Sequence, residues 1–368
     1  MTKYVKVAVP DDWDGSTIGD YPIWEPQYTP VLNHGFVGLV DFYGDDEGIV
    51  NAARVSYGKG TQKKRSDRGL LRYLMRHLHT TPFEMVDFKF HVKAPIFVFR
   101  QWHRHRTFSI NEYSARYSVL DAEMYEPERE DMAPNSVDNK QGRDDNLLTE
   151  EEYTAVMAVV TECFETTYQG YMHLLGPHPD SGQLAPPTDG VKSRLQWCQD
   201  AAVAAVREAR RRAKEDEQPD PYPNEGDLEN AINEYMVQNG VAALTNDFPG
   251  IARELARMVL PVATYSQMYW KGNLHNLFHF LNLRCDPHAQ KEIRVYADAI
   301  LDLIEPIVPW SVQAFRDYLL HGARLSRMEI EVLQDIIQRS GDRAGIAERL
   351  SAIGASDREI KEFLTRFA

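Results

Sequence analysis

Residues 100 to 116, RQWHRHRTFSINEYSAR, concentrate the chemistry of the chain. Arg100, Arg104, Arg106 and Arg116 stand there with His103 and His105 against one carboxylate, Glu112. The protein as a whole carries a net charge of −14, so the basic run is not a by-product of a basic composition. Arginine suits bidentate contacts to phosphate, and four guanidiniums so close repel one another unless an anion lies between them. Ser109, Asn111, Tyr113 and Ser114 add neutral donors in what reads as a loop. From these residues alone a second reading stays open, because cations are also favoured at helix C-termini, by about 0.3–1 kcal/mol each. The added donors favour a small phosphorylated ligand. An acidic chain is poorly suited to gripping long DNA or RNA through its phosphates, so no nucleic acid partner is expected.

Other chemistries are less well supported. His77, His79, His91, His103, His105, His275, His279 and His288 invite a metal reading, and His275 and His279 share a helix face at i, i+4. No HExxH and no paired cysteines accompany them, so no metal site is expected. Neither GxGxxG nor GxxxxGK[ST] occurs, which leaves side chains to hold any dinucleotide. GxSxG is absent too, and Cys285, beside Arg284, reads as a small buried hydrophobe rather than a nucleophile. Chemistry carried by a bound cofactor is the remaining expectation. Cys163, Cys198 and Cys285 are too few for a disulfide framework, the N-terminus lacks a signal pattern, and no apolar run reaches the ~20 residues of a membrane span. A cytoplasmic protein without a membrane partner is therefore expected.

The elements that must position these residues are partly legible. FVGLVDFYG from Phe36 has strand composition, and GIVNAARVSYG reads as a short helix leading to Ser56. The polar run 58–68 reads as a loop, and Leu70, Leu71, Leu74 and Leu78 mark an amphipathic helix over 69–79. Thr81-Pro82-Phe83-Glu84 suggests a helix start with Thr81 as the N-cap. Val86, Phe88, Phe90 and Val92 alternate with charged residues, a half-buried strand. Pro95 then opens a helix with Ile96, Phe99 and Trp102 on one face, expected to run into the basic stretch. On such a helix, at about 100° per residue, Arg104 and Arg106 would point to nearly opposite sides.

Thr149-x-x-Glu152 predicts the start of a long helix, stopped by Gly176-Pro177. Residues 176–248 change character, with Pro-rich loops around an Ala-rich helix at about 192–214, and read as an insertion outside the main core. Its Arg210, Arg211 and Arg212 read as a solvated helix face. Helical pattern returns at Ile251, and Asp286-Pro287 suggests the start of a helix bearing Ile293, Tyr296, Ile300 and Ile304. Ser326-x-x-Glu329 and Ser356-x-x-Glu359 are two more capping boxes, in a helical tail. Residues 1–34 show no sustained period and read as an extension. The expected division is a 1–34 extension, a catalytic part over 35–325 with the insertion, and the tail 326–368.

Arg104-His105-Arg106 followed after seven residues by Ser114 is the RHRx7S signature, and the chain resembles the flavin-dependent thymidylate synthases. HTTPFE (79–84), FHVKAPIFVFRQW (90–102), RELARMVLP (253–261) and FLNLRCDPHAQ (280–290) extend the resemblance in order. It implies a methyltransferase that converts dUMP to dTMP, with methylenetetrahydrofolate giving the carbon and NADPH the hydride through FAD. It also implies a mixed α/β (α+β) fold, an antiparallel-rich sheet flanked by long helices, and a homotetramer with shared sites. By position, Ser56, His79, Thr81, Glu84, Arg104, His105, Arg106, Glu112, Asn273, His275 and His279 would serve FAD. Gln101, Arg104, Glu112, Tyr113, Ser114, Ala115, Arg116 and Arg257 would hold dUMP, and Arg284 would stabilise the uracil anion. Ser114 would donate a hydrogen bond rather than act as a nucleophile. The competing readings are a non-catalytic nucleotide sensor built on the same arginines and a metal-dependent nucleotide hydrolase.

Overall fold

The computed structural model describes residues 26–55, 67–137, 142–176, 194–216, 218–238 and 250–367. Five antiparallel strands form one sheet in the order β1-β2-β3-β5-β4: β1 (Gln27–Val31), β2 (Gly35–Tyr43), β3 (Asp87–Pro95), β4 (Ser109–Glu112) and β5 (Tyr265–Asn273). The helices are α1 (Asp46–Val55), α2 (Asp67–Arg76), α3 (Ile96–Trp102), α4 (Glu150–Leu175), α5 (Arg194–Glu215), α6 (Glu225–Gln238), α7 (Arg253–Ala256), α8 (Leu274–Arg284), α9 (Lys291–Ile304), α10 (Pro309–Phe315), α11 (Arg327–Ser340), α12 (Arg343–Ala352) and α13 (Asp357–Phe367). The mixed fold with an antiparallel sheet is the one expected.

Period-2 alternation builds the centre. Phe88, Phe90, Val92 and Ala94 of β3 are buried, while Asp87, Lys89, His91 and Lys93 face the other side. Met268 and Trp270 of β5 join them, and Trp102 of α3 meets Trp270 edge-on at 5.3 Å. Ile293, Tyr296, Ala297, Ile300 and Ile304 of α9 complete this core from the helical side. Each such large apolar side chain gains about 1.5–3 kcal/mol from burial. A smaller cluster of Ala115, Leu120, Tyr171 and Ala256 lies where α4 crosses the 253–259 segment.

Several boundaries differ from expectation. β1 falls within the stretch 1–34 and pairs with β2 along its whole length. Residues 81–85 form a single 3-10 turn after Thr80, and no side chain caps it. α9 begins at Lys291, whereas Asp286 closes a local turn by accepting from the His288 N–H at 2.7 Å. The capping boxes of α4 and α11 form as anticipated. Arg211 and Arg212 pair with Glu208, and Arg210 with Asp220, which agrees with a solvated face.

Two turns carry a leucine in the left-handed region, Leu32 between β1 and β2 at a φ of 58° and Leu78 after α2. After α2, Leu78 adopts a left-handed φ of 56°, the His79 N–H donates to the Leu74 carbonyl at 2.9 Å, and the Leu78 N–H to Met75 at 3.2 Å. This is a Schellman end with leucine where glycine is usual, at a cost of about 1–2 kcal/mol.

Candidate active site

The basic stretch is not one helix. α3 ends at Trp102 with His103 as its C-cap, residues 104–108 turn, and Ser109–Glu112 then forms β4 at the sheet edge against β5. The opposed directions expected of Arg104 and Arg106 on a helix therefore do not apply. The reading of Ser109 and Asn111 as loop donors gives way to edge-strand residues.

Three groups of candidate residues result. The first surrounds Arg284 at the end of α8. Its Nε donates to Nε2 of His105 at 3.1 Å, and its Nη2 donates to the Gln101 carbonyl at 3.4 Å. His105 is buried, and burial followed by the Arg284 and His279 charges holds its pKa down at about 4. It is thus a neutral acceptor at Nε2 at physiological pH. Burial, and then Arg104, pulls the Arg284 pKa down, yet a guanidinium stays charged at neutral pH. Gln101 reaches Gln290, and Glu112 accepts from Ser266 Oγ at 3.1 Å, with His103 Nε2 3.9 Å away. That His103 nitrogen is buried without a hydrogen-bond partner.

The second group is the loop after β4. The Tyr113 N–H continues the β5 pairing by donating to Gln267, and Tyr113 Oη donates to Val119. Ser114 Oγ accepts from the Arg116 N–H at 3.3 Å, and among the described residues no side-chain base hydrogen-bonds to it. Arg116 pairs with Glu254 at 2.9 Å, Arg257 donates to the Glu254 carbonyl, and Ala115 is buried in the smaller core cluster. The third group follows α2 and ends β5. His79 packs edge-on against Tyr73 at 5.8 Å, Thr81 and Glu84 lie in the 3-10 turn, and Asn273 caps α8 by accepting from the Asn276 N–H. His275 sits in the first turn of α8 and His279 one turn on, 6.0 Å from His105.

No hydrogen bond or ring contact among the described residues joins His79, Thr81 or Glu84 to the Arg104–Arg106 turn. Glu112 lies opposite Met268, five residues before Asn273, so Glu112 and Asn273 are separated along β5 by about 16 Å, while His279 of the third group approaches His105 of the first. Ser56 lies outside the described residues. Ser266, Gln290 and Glu254 are partners the sequence reading missed; Glu254 had a signal inside RELARMVLP and Gln290 at the end of FLNLRCDPHAQ, whereas Ser266 had none. Cys285 is half-buried, and burial with the neighbouring Asp298 drives its thiol pKa far up, which disfavours the thiolate. Among the described residues, no group of His, Cys, Asp and Glu could hold a metal ion, and no helix is long and apolar enough to cross a membrane.

The family model described as thymidylate synthase complementing protein matches residues 38–310. The chain is 42% identical over 321 residues to a protein of Rickettsia bellii named flavin-dependent thymidylate synthase, covering 87% of each chain. It is 40% identical over 342 residues to one of that name from Thermus thermophilus, covering 93% of this chain and 96% of the relative. Among solved structures, the UMP/dUMP methylase PolB of Streptomyces cacaoi bound with 5-Br UMP is similar with a TM-score of 0.52 at 26% identity. That match covers 79% of this chain and 98% of the methylase.

Proposed function

Because the chain belongs to the flavin-dependent thymidylate synthase family, we propose that it converts dUMP to dTMP by reductive methylation, with FAD bound, methylenetetrahydrofolate as carbon donor and NADPH as reductant. One observation carries this reading. Arg104, Arg106 and Arg284 meet no carboxylate among the described residues, and the buried His103 Nε2, 3.9 Å from Glu112, has no hydrogen-bond partner. Such a donor set suits phosphate-bearing and ring-anion ligands, so the residues fit both a flavin dinucleotide and a nucleotide. Bound FAD supplies the two-electron redox chemistry that the side chains lack.

The side chains orient and polarise. Arg284 pairs with the deprotonated uracil and so activates its C5 without an enzyme nucleophile. Since its partners are a neutral imidazole and a carbonyl, no carboxylate offsets the charge it presents. Arg116 and Arg257 neutralise the dUMP phosphate, with Gln101, Arg104, Glu112, Tyr113, Ser114 and the Ala115 backbone completing the nucleotide site. His79, Thr81, Glu84, Arg104, His105, Arg106, Glu112, Asn273, His275 and His279, with Ser56, hold FAD. The separation of Glu112 from Asn273 along β5 supports sites shared between subunits of a homotetramer. Residues 35–325 are assigned as the catalytic part, with 176–248 as an insertion and 326–368 as a tail.

The test is direct. Purified protein is stripped, reloaded with FAD and supplied with dUMP, methylenetetrahydrofolate and NADPH. A flavin absorption spectrum and dTMP formation are expected. A protein that takes up no FAD, or binds dUMP without forming dTMP, overturns the proposal.

A further inference from the structure

The C-terminal helices lie beyond the matched residues 38–310, and α13 docks on α2 through charge. Glu359 Oε1 accepts from Arg72 Nε at 2.9 Å and stands 3.1 Å from Arg76 Nη1. Glu362 Oε2 lies 2.7 Å from Arg76 Nη2 and 3.2 Å from His77 Nε2. The Arg358 guanidinium covers the Tyr73 ring at 4.4 Å, and the Tyr318 hydroxyl accepts from Arg72 and Arg76. Isolated surface pairs contribute little, but the side chains of Arg72, Arg76 and Glu359 are only 15%, 19% and 10% exposed and share partners, so this network fixes geometry.

What it holds is the strained end of α2. Leu78, in its left-handed conformation, is 61% exposed and anchors little by itself. Strained backbone of this kind persists where its surroundings over-determine it. His77, immediately before Leu78, is held by Glu362, which also pairs with Arg76. Tyr73, beneath Arg358, packs on His77 at 4.3 Å and on His79 at 5.8 Å. The turn is thus gripped from the tail on both sides of the point that aims His79.

We propose that α13 is a positioning element for flavin binding: Glu362 and Arg358, acting through His77 and Tyr73, fix the turn that presents His79 and Thr81 to the dinucleotide. This rests on the assignment of His79, Thr81 and Glu84 to FAD. Glu359 is tied to the same device, because its Oε2 also accepts from the Ser356 N–H and hydroxyl at the start of α13. Helix capping and docking therefore share one carboxylate.

Glu362→Gln is the clean probe, since Glu362 closes no cap; a chain ended after Leu325 removes the whole device. Both are stripped of flavin and measured in two ways: hydrogen–deuterium exchange over 73–85 without ligand, and FAD affinity by quenching of flavin fluorescence. Faster exchange over 77–85 and an FAD Kd raised about fivefold or more are expected, with the larger change in the shortened chain. Asp335→Asn, which removes the exposed Arg339 pair elsewhere in the tail, should leave both readings at the parent level. Unchanged exchange, or faster exchange with unchanged FAD affinity, overturns the proposal. A parent protein that binds no FAD overturns the functional reading beneath it, whereas the exchange data report separately on the clamp.

Discussion

Arg284 Nε donates to His105 Nε2 at 3.1 Å, so the imidazole carries its proton on Nδ1 and meets the guanidinium as an uncharged acceptor. A residue of the RHRx7S signature is thereby spent on the arginine assigned to the pyrimidine. In the proposed assignment, the flavin and nucleotide sites meet at this hydrogen bond.

Arg284→Ala removes the charge proposed to stabilise the uracil anion. Turnover to dTMP should fall about 10²–10³-fold or more, as for loss of a preorganised donor at a developing anion. Flavin absorbance of the purified variant should match the parent. Near-normal turnover would remove Arg284 from the mechanism.

The depressed pKa of His105 couples stability to acid. Below its ordinary pKa of 6.5, the unfolded chain takes up a proton that the folded site refuses until about pH 4. Its contribution is therefore complete above 6.5 and declines as pH falls across that window. Urea unfolding at pH 7 and pH 5 should show a smaller loss in His105→Gln, which keeps an acceptor but does not titrate; equal losses would contradict the assignment.

Asp46, at the start of α1, closes the start of α10 by accepting from the Trp310 N–H at 2.7 Å, the Ser311 N–H at 3.1 Å and the Ser311 hydroxyl at 2.5 Å. Burial raises its pKa despite those donors. Asp46→Ala leaves buried donors without a partner and should cost about 2 kcal/mol in chemical denaturation. Asp46→Asn, which keeps one acceptor oxygen, should cost less.

Gly272 lies under Phe108, the residue that precedes β4. A Cβ there would stand 2.3 Å from the Phe108 ring, which stacks on Trp270 at 4.0 Å. Gly272→Ala should displace Phe108 and loosen β4. Calorimetric titration is expected to show weaker dUMP binding, with the melting temperature lowered by a few degrees, the scale of a ~1 kcal/mol overpacking change.

The central strand β3 was legible because its apolar residues alternate without interruption, and the RHRx7S stretch stood out through its charge as a candidate ligand site. β5 was not. Its inward residues begin with Ser266, and its outward set includes Tyr269, so the apolar alternation reduces to Met268 and Trp270. β4 is four exposed residues whose strand character comes from pairing with β5, which no local propensity reports. α3 stops at Trp102 without a glycine or proline to mark it, and this hid the turn carrying Arg104 and Arg106. Thr81 was preferred over Thr80 as a cap because Pro82 and Glu84 fit the helix-start pattern, yet the segment closes after one turn.

β4 meets β5 through four pairs, from Ser109 with Lys271 to Glu112 with Met268. Strand faces alternate, so a slip by one position would swing Glu112 away from Ser266 to the opposite side of the sheet. Substrate geometry at this edge has no continuous adjustment. It works as a ratchet with two-residue teeth, so insertions or deletions of one residue between Arg106 and Ser114 would cost far more function than most substitutions there.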